Sequence, residues 1–246
     1  MTDCGKPLAW KRSCIGIAVQ EDASSQVDYQ TAKGVLKEAF DAWQNADCGG
    51  EPPGIKVELL NKVDCASVEY NKDGGNVNVM VFRDTVWPHG DGPHNVALTT
   101  VTFDSNTGEI FDADIEVNTA RYKFTTTSIT TEYDLLSILT HETGHFLGMA
   151  HAPDSKSTMY ATYEPGSVDF RTLEGDDIAG ICTIYPPDPS AAGACNPIPR
   201  HGYSPSCAEA QTEGTCSVAP PADTPPSSFG VFALAGALAA LARRRR

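Results

Sequence analysis

The chain has 246 residues, of which 41% are hydrophobic, and this length and composition predict a folded domain with a core of its own. Its formal net charge is −14, so we expect no nucleic-acid partner and little affinity for strongly acidic substrates. The sequence contains no phosphate-binding glycine loop and no nucleophilic serine motif.

The first half of the chain predicts several strands and one long helix. The apolar run from Cys14 to Val19 suits a buried strand, and Asp28 to Asn45 has helical spacing of its apolar residues. Later apolar or alternating runs predict four more strands, at Ile55 to Leu60, Val77 to Phe82, Ala97 to Phe103 and Glu109 to Val117. The last two are joined by a turn at Ser105 to Gly108, which predicts a hairpin. These elements predict an α/β or α+β domain with one main core.

A second helix is predicted from Tyr133 to Met149, because leucines and isoleucine recur along one face before the run HETGHFLGMAH begins. Thr130 or Thr131 is the expected N-cap residue of this helix. The run from His141 to His151 would therefore stand on a helix that is anchored by a leucine-rich face.

The spacing within this run is that of a catalytic zinc site. His141 and His145 are four residues apart, so on a helix they can bind one ion, and Gly148 allows a left-handed turn that brings His151 in as the third ligand. The fourth position is left for water, which distinguishes a catalytic zinc from a structural one. Glu142 would act as general base on the zinc-activated water and then protonate the leaving amine. The alternative is a surface helix with incidental histidines.

The run resembles the zinc motif of the metzincin peptidases, H-E-x-x-H-x-x-G-x-x-H. Downstream, STMYATY places Met159 where that family has the methionine that packs beneath the histidines. LEGDDIAGICTIYP, from Leu173 to Pro186, resembles the closing helix of the matrixins, and GEIFDADIEVN resembles a strand of bacterial matrixin-like domains. The resemblance covers roughly Pro7 to Pro186.

This resemblance implies a metzincin-like catalytic domain with a twisted, mostly parallel sheet, an active-site helix and a small C-terminal subdomain. It implies a zinc endopeptidase that acts on proteins or peptides, with Tyr163 on the wall of the substrate pocket. Ala152 and Ala161 depart from the patterns of the subfamilies, and Ala161 makes a tyrosine fifth ligand unexpected. The alternatives are a zinc-bound surface adhesion or binding module that does not hydrolyse, and a structural role for the histidines without zinc.

The sequence contains residues that could bind two further metals. His89, Asp91 and His94 could hold a second metal in the region where matrixins have a structural zinc, but their spacing does not match closely and loop histidines without a metal are favoured. The acidic turns at Asp73 and Asp104 could bind calcium, but nothing specifies the six to eight oxygen ligands that this ion requires.

The eight cysteines include no C-x-x-C zinc spacing, so we expect disulfides and an extracytoplasmic protein. Cys182, inside the last predicted helix, is expected to be a free buried thiol. Cys4 stands in a Cys-Gly-x-Pro sequence that shares part of the matrixin latency switch, but a disulfide is favoured there. The preferred pair is Cys48 with Cys65, and Cys4 with Cys14 and Cys195 with Cys207 are further candidates.

Composition divides the chain into a catalytic domain (1–187), a linker rich in proline, serine and alanine (188–228), and a tail (229–246). The tail has 14 apolar residues, fewer than the roughly 20 that span a bilayer, followed by four arginines. With Cys216 it resembles the C-terminal sorting tails of myxobacterial surface proteins, which implies membrane contact before processing near Cys216 and modification of that cysteine. A disordered or self-packed tail is the alternative.

The residues MTDCGK at the start contain no apolar signal core, although an exported protein requires one. We expect that the chain begins within a longer gene product; otherwise export is in doubt. We expect a monomer that is secreted or attached to the cell surface.

Overall fold

A mixed β-sheet forms the centre of the fold in the computed structural model, which describes residues 7–90, 95–127, 132–188, 195–206 and 216–217. The strands are β1 (Cys14–Val19), β2 (Lys56–Leu59), β3 (Val79–Phe82), β4 (Ala97–Phe103), β5 (Ile110–Val117), β6 (Phe124–Thr125), β7 (Tyr133–Asp134) and β8 (Cys216–Ser217). The helices are α1 (Tyr29–Gln44), α2 (Leu135–Phe146) and α3 (Gly175–Ile184), with a 3₁₀ turn at Asp169–Arg171.

The main sheet has the strand order β2-β1-β3-β5-β4-β8, and β6 pairs with β7 separately. Strands β1, β2, β3 and β5 are parallel, whereas β4 and β5 form the antiparallel hairpin that the turn sequence predicts. The prediction of an α/β fold with a mostly parallel sheet is therefore confirmed. At the far edge, β8 pairs with β4 through Thr100 and Val101.

Helices α1 and α2 pack against each other and against one face of the sheet. Asp28 caps α1, since its side chain accepts hydrogen bonds from Gln30 N and Thr31 N, and the helix buries a stripe that ends at Trp43. The indole of Trp43 donates to the carbonyl oxygen of Thr140 in α2 over 2.8 Å. This bond and the surrounding core fix the position of α2 relative to the sheet.

The active-site helix begins later than the sequence predicts. Tyr133 belongs to β7, and Asp134 is the N-cap of α2, because its side chain accepts a hydrogen bond from Ser137 N over 2.8 Å. The prediction of Thr130 or Thr131 as the cap is wrong. Asp134 also binds Arg171, and these hydrogen bonds outweigh the effect of burial and hold the pKa of its carboxyl below the usual range.

A second, smaller core lies on the other face of the sheet, where residues 195–206 of the predicted linker pack. Arg12 donates to the carbonyl oxygens of Asn196 and Ile198, and Tyr203 packs against the valines of this core. Asn76 N donates a hydrogen bond to Gly202 O, and Ser204 N donates to Asn76 O. This segment therefore covers apolar surface that would otherwise meet water.

The disulfides differ from the predicted pairs. Cys14 pairs with Cys195, and Cys48 pairs with Cys182, with Cα atoms 5.4 and 5.5 Å apart. Cys65 is disulfide-bonded, although not to Cys48, and Cys182 is not a free thiol. The predictions fail because both bridges join segments more than 130 residues apart, which sequence proximity does not reveal. Cys4 and Cys207 lie outside the described residues.

Among the described residues, no helix combines the length and the apolar character needed to cross a membrane. The tail 229–246 lies outside the described residues, as does most of the predicted linker.

Candidate metal centre

Three imidazoles meet where α2 ends and the chain turns back. The Nε2 atom of His145 lies 3.1 Å from Nε2 of His141 and 3.1 Å from Nε2 of His151. Among the described residues, this is the one group of three or more potential metal ligands whose ligand atoms converge. The structure therefore brings together the three histidines that the sequence singles out.

The hydrogen bonds of two rings show which nitrogens are free to bind a metal. His141 Nδ1 donates to Thr158 O over 2.6 Å, and His145 Nδ1 donates to Met149 O over 2.9 Å. A carbonyl oxygen only accepts, so each Nδ1 carries the proton and each Nε2 of a neutral ring carries a lone pair. Two lone pairs that face each other at 3.1 Å repel unless a cation lies between them.

The spacing and protonation of the rings fit zinc. Tetrahedral ligands about 2.0 Å from a zinc ion are about 3.3 Å apart, close to the observed 3.1 Å. Burial lowers the pKa of His141 to about 4 and also lowers the pKa values of His145 and His151. The rings are therefore neutral at physiological pH, as metal binding requires.

A glycine makes the turn that delivers His151. Gly148 has φ = +90°, in the left-handed region that residues with a Cβ avoid, and a Cβ there would come within 2.5 Å of Leu8 O. Both observations show why a side chain is excluded at this position.

The side chain of Met159 packs against α2 between the first two histidines. It is 1% exposed, and a Cβ on Gly144 would lie 2.3 Å from its sulfur atom. Gly144 stands between His141 and His145 in the sequence, so its missing side chain makes room for the methionine against the segment of α2 that carries these two histidines.

The methionine segment is held in place by Asp177 at the start of α3. This carboxylate is fully buried and accepts hydrogen bonds from Thr158 N (2.8 Å), Met159 N (3.1 Å) and the Ser157 hydroxyl. It also accepts from Glu174 N, which completes a capping box. Asp177 thus links α3 to the segment that supplies Thr158 O to His141.

Glu142 lies beside the imidazoles and is 6% exposed. Its Oε2 accepts a hydrogen bond from the hydroxyl of Thr99 over 2.6 Å. Burial raises the pKa of Glu142 to about 7, although the hydrogen bonds from Thr99 act in the opposite direction. A carboxyl group in this environment can both accept and release a proton near neutral pH.

A small cavity of about 50 Å³ opens beside His141 and Glu142, and Tyr163 and Phe170 contribute to its wall. The Tyr163 hydroxyl accepts a hydrogen bond from Asp134 N over 3.2 Å and donates to Ser167 O. A larger cavity of about 680 Å³ lies between α1 and β2, far from the histidines. Cavity size therefore does not identify the reactive site here, whereas the convergence of ligands does.

The family model for the matrixins matches residues 9–186 of this chain. The chain belongs to the matrixin family. The match includes all of α1, α2 and α3 and the three histidines, so the family and the geometry point to the same zinc centre.

Similar proteins occur in animals and plants. Neutrophil collagenase of Homo sapiens is 25% identical over 197 residues, which cover 76% of this chain and 37% of that protein. Metalloendoproteinase 1-MMP of Arabidopsis thaliana is 27% identical over 191 residues, covering 75% and 46%. Macrophage metalloelastase of Oryctolagus cuniculus is 39% identical over 183 residues, covering 74% and 34%. The chain spans less than half the length of these relatives.

In this matrixin, two of the residues named above as ligands for further metals, His89 and Asp104, have other contacts. His89 Nε2 lies 2.5 Å from Glu116 Oε2, and the other oxygen of Glu116 accepts from Arg83. Asp104 accepts from Asn106 N and Thr107 N, so its carboxylate closes a turn. Asp91 and His94 lie outside the described residues.

Sequence reasoning missed two residues of the matrixin site, Thr99 and the role of Asp177. For Thr99 a signal existed, since a polar residue interrupts an alternating apolar face of a predicted strand. For Asp177 the sequence contained only a pair of aspartates, and nothing local shows which one turns inward.

Proposed function

We propose that this chain is a zinc-dependent endopeptidase that hydrolyses peptide bonds in proteins. His141, His145 and His151 are the zinc ligands in this proposal, and Glu142 is the general base. The observation that carries it is the convergence of three Nε2 atoms, with those of His141 and His151 each 3.1 Å from that of His145, beside a buried carboxylate. The matrixin fold around this centre supports the same function.

When bound, the zinc ion polarises the scissile carbonyl and lowers the pKa of a water molecule to about 7. Glu142 takes a proton from the attacking water on a carboxylate oxygen, and the water oxygen bonds to the carbonyl carbon. The C–N bond then breaks, and Glu142 returns the proton to the leaving amine nitrogen. Thr158 and Met149 keep Nδ1 of two ligand rings protonated, which holds their Nε2 atoms available throughout.

The other site residues support this chemistry in our proposal. Gly148 provides the turn that directs His151 to the centre, and Met159 supports the imidazoles from below. Tyr163 lines the pocket for the substrate side chain that follows the scissile bond. Its place on the wall of the cavity next to His141 and Glu142 supports that role.

We further propose that the protein acts outside the cytoplasm, secreted or attached to the cell surface, as a monomer. The disulfides Cys14–Cys195 and Cys48–Cys182 fit an oxidising compartment. The apolar segment and arginine cluster at 229–246 support a bacterial sorting tail that contacts the membrane before it is processed near Cys216. The catalytic domain in this proposal is 1–187, followed by the linker 188–228.

Incubation of the full chain with a mixed peptide library tests the function, with the products identified by mass spectrometry. We expect cleavage at internal bonds, loss of cleavage with a zinc chelator, and recovery when zinc is added back. Removal of terminal residues alone would contradict an endopeptidase. Bound zinc without any cleavage would instead favour a binding module.

A further inference from the structure

The core-facing side of strand β4 carries one polar side chain among apolar ones. Ala97, Val101 and Phe103 point toward the helices and belong to the main core, and Thr99 shares their face of the strand. Thr99 is 0% exposed. A buried hydroxyl without a partner destabilises a protein, so this position requires an acceptor.

The acceptor is the residue proposed to move the proton. The Thr99 hydroxyl lies 2.6 Å from Oε2 of Glu142 and 3.1 Å from the main-chain oxygen of the same residue. That main-chain oxygen lies inside α2, where the i to i+4 pattern supplies a donor from Phe146. The hydroxyl proton is therefore directed to the carboxylate, and hydrogen bonds to a charged acceptor are the stronger ones.

The contact leaves the two carboxylate oxygens unequal. Oε2 is engaged by Thr99, whereas no second side chain bonds to Oε1 among the described residues. Glu142 also lines the cavity beside His141, so Oε1 is the oxygen left to exchange a proton there. The backbone of Thr99 is itself fixed, because β4 pairs with β5 at Ile115.

We propose that Thr99 is a positioning residue for the general base. Its hydroxyl holds Glu142 by Oε2 in one rotamer, so that Oε1 faces the reacting water. This inference rests on the proposed peptidase function. A glutamate side chain otherwise has several rotamers, and a misplaced base slows proton transfer without changing how substrate binds.

Thr99→Val tests the proposal, because valine keeps the shape of threonine and removes the hydroxyl. We expect kcat to fall about ten-fold or more, with KM within about two-fold and zinc content unchanged. Thr99→Ser keeps the hydroxyl and should stay within about three-fold of the wild-type kcat. Thr99→Ala differs from Thr99→Ser by the hydroxyl alone and should resemble Thr99→Val, which provides a second comparison if valine impairs folding.

Thr100→Val is the matched control, since Thr100 is the adjacent threonine and points to the other face of β4. It should leave kcat unchanged. Wild-type kcat in Thr99→Val, or equal losses in Thr99→Ser and Thr99→Ala, would overturn the role of the hydroxyl. A loss of zinc or of thermal stability that accounts for the lower kcat would show a structural role instead. If the wild-type chain cleaves no peptide, the peptidase function fails first and the inference with it.

Discussion

Replacement of Glu142 by alanine is expected to lower kcat/KM by about 10²–10⁴-fold while zinc stays bound. The variant removes the carboxylate that accepts the water proton, but it removes none of the three imidazoles. The zinc content should remain unchanged because the Nδ1 bonds to Thr158 and Met149 continue to orient two of the ligand rings. Cleavage of a library-derived peptide and metal analysis on the same sample measure both quantities.

Two further variants make this result specific. Glu142→Gln keeps the size of the side chain and can still accept a hydrogen bond from Thr99. Its amide cannot take a proton from water, so this variant should lose activity as Glu142→Ala does. Glu38→Ala removes an exposed glutamate from helix α1 and should cleave at the wild-type rate. Cleavage within about ten-fold of wild type by both Glu142 variants would contradict the assignment of the base.

Asp177→Ala is expected to destabilise the protein by about 3–5 kcal/mol. The substitution leaves the buried Thr158 amide and the buried Ser157 hydroxyl without their acceptor. It also removes the acceptor of the Glu174 amide and one of the two acceptors of the Met159 amide. For a domain of this size, the loss corresponds to a fall in Tm of roughly 10 °C. We also expect weaker zinc binding, because the segment that holds Met159 and Thr158 O beside His141 is released. Thermal unfolding of the zinc-loaded and chelated chains measures both effects.

The neighbouring residue provides a control for this prediction. Asp176 is also acidic and also lies in the first turn of α3, but it is exposed. Asp176→Ala should therefore change stability by no more than about 0.5 kcal/mol. Equal Tm values for the two variants would contradict the structural role of Asp177.

Local sequence patterns predict much of the fold. The bounds of β1 and β4 agree with the structure, and α1 lies within the predicted helix. These elements depend on the spacing of apolar residues, and on the Asp28 cap, within short stretches of the sequence. The zinc motif is predictable for the same reason, since His141, Glu142 and His145 share one helix. The turn at Gly148 then limits where His151 can lie.

Features that depend on distant segments were not predictable in this way. The Cys48–Cys182 bridge requires knowledge of how α3 approaches the loop after α1, and no spacing rule contains it. The cap of α2 was misplaced because Tyr133 and Asp134 pair with Phe124 and Thr125, which keeps them extended and delays the start of the helix. Thr99 meets Glu142 across 43 residues, through the packing of α2 on the sheet.

The most direct test is a titration of the metal-free full chain with zinc, in which binding and peptide cleavage are followed in the same sample. If the three histidines form a catalytic zinc centre, we expect cleavage to rise in proportion to bound zinc and both to reach a plateau at one zinc ion per chain. A cleavage rate that does not depend on zinc, or one tightly bound zinc ion with no cleavage, would contradict a zinc peptidase built on His141, His145 and His151.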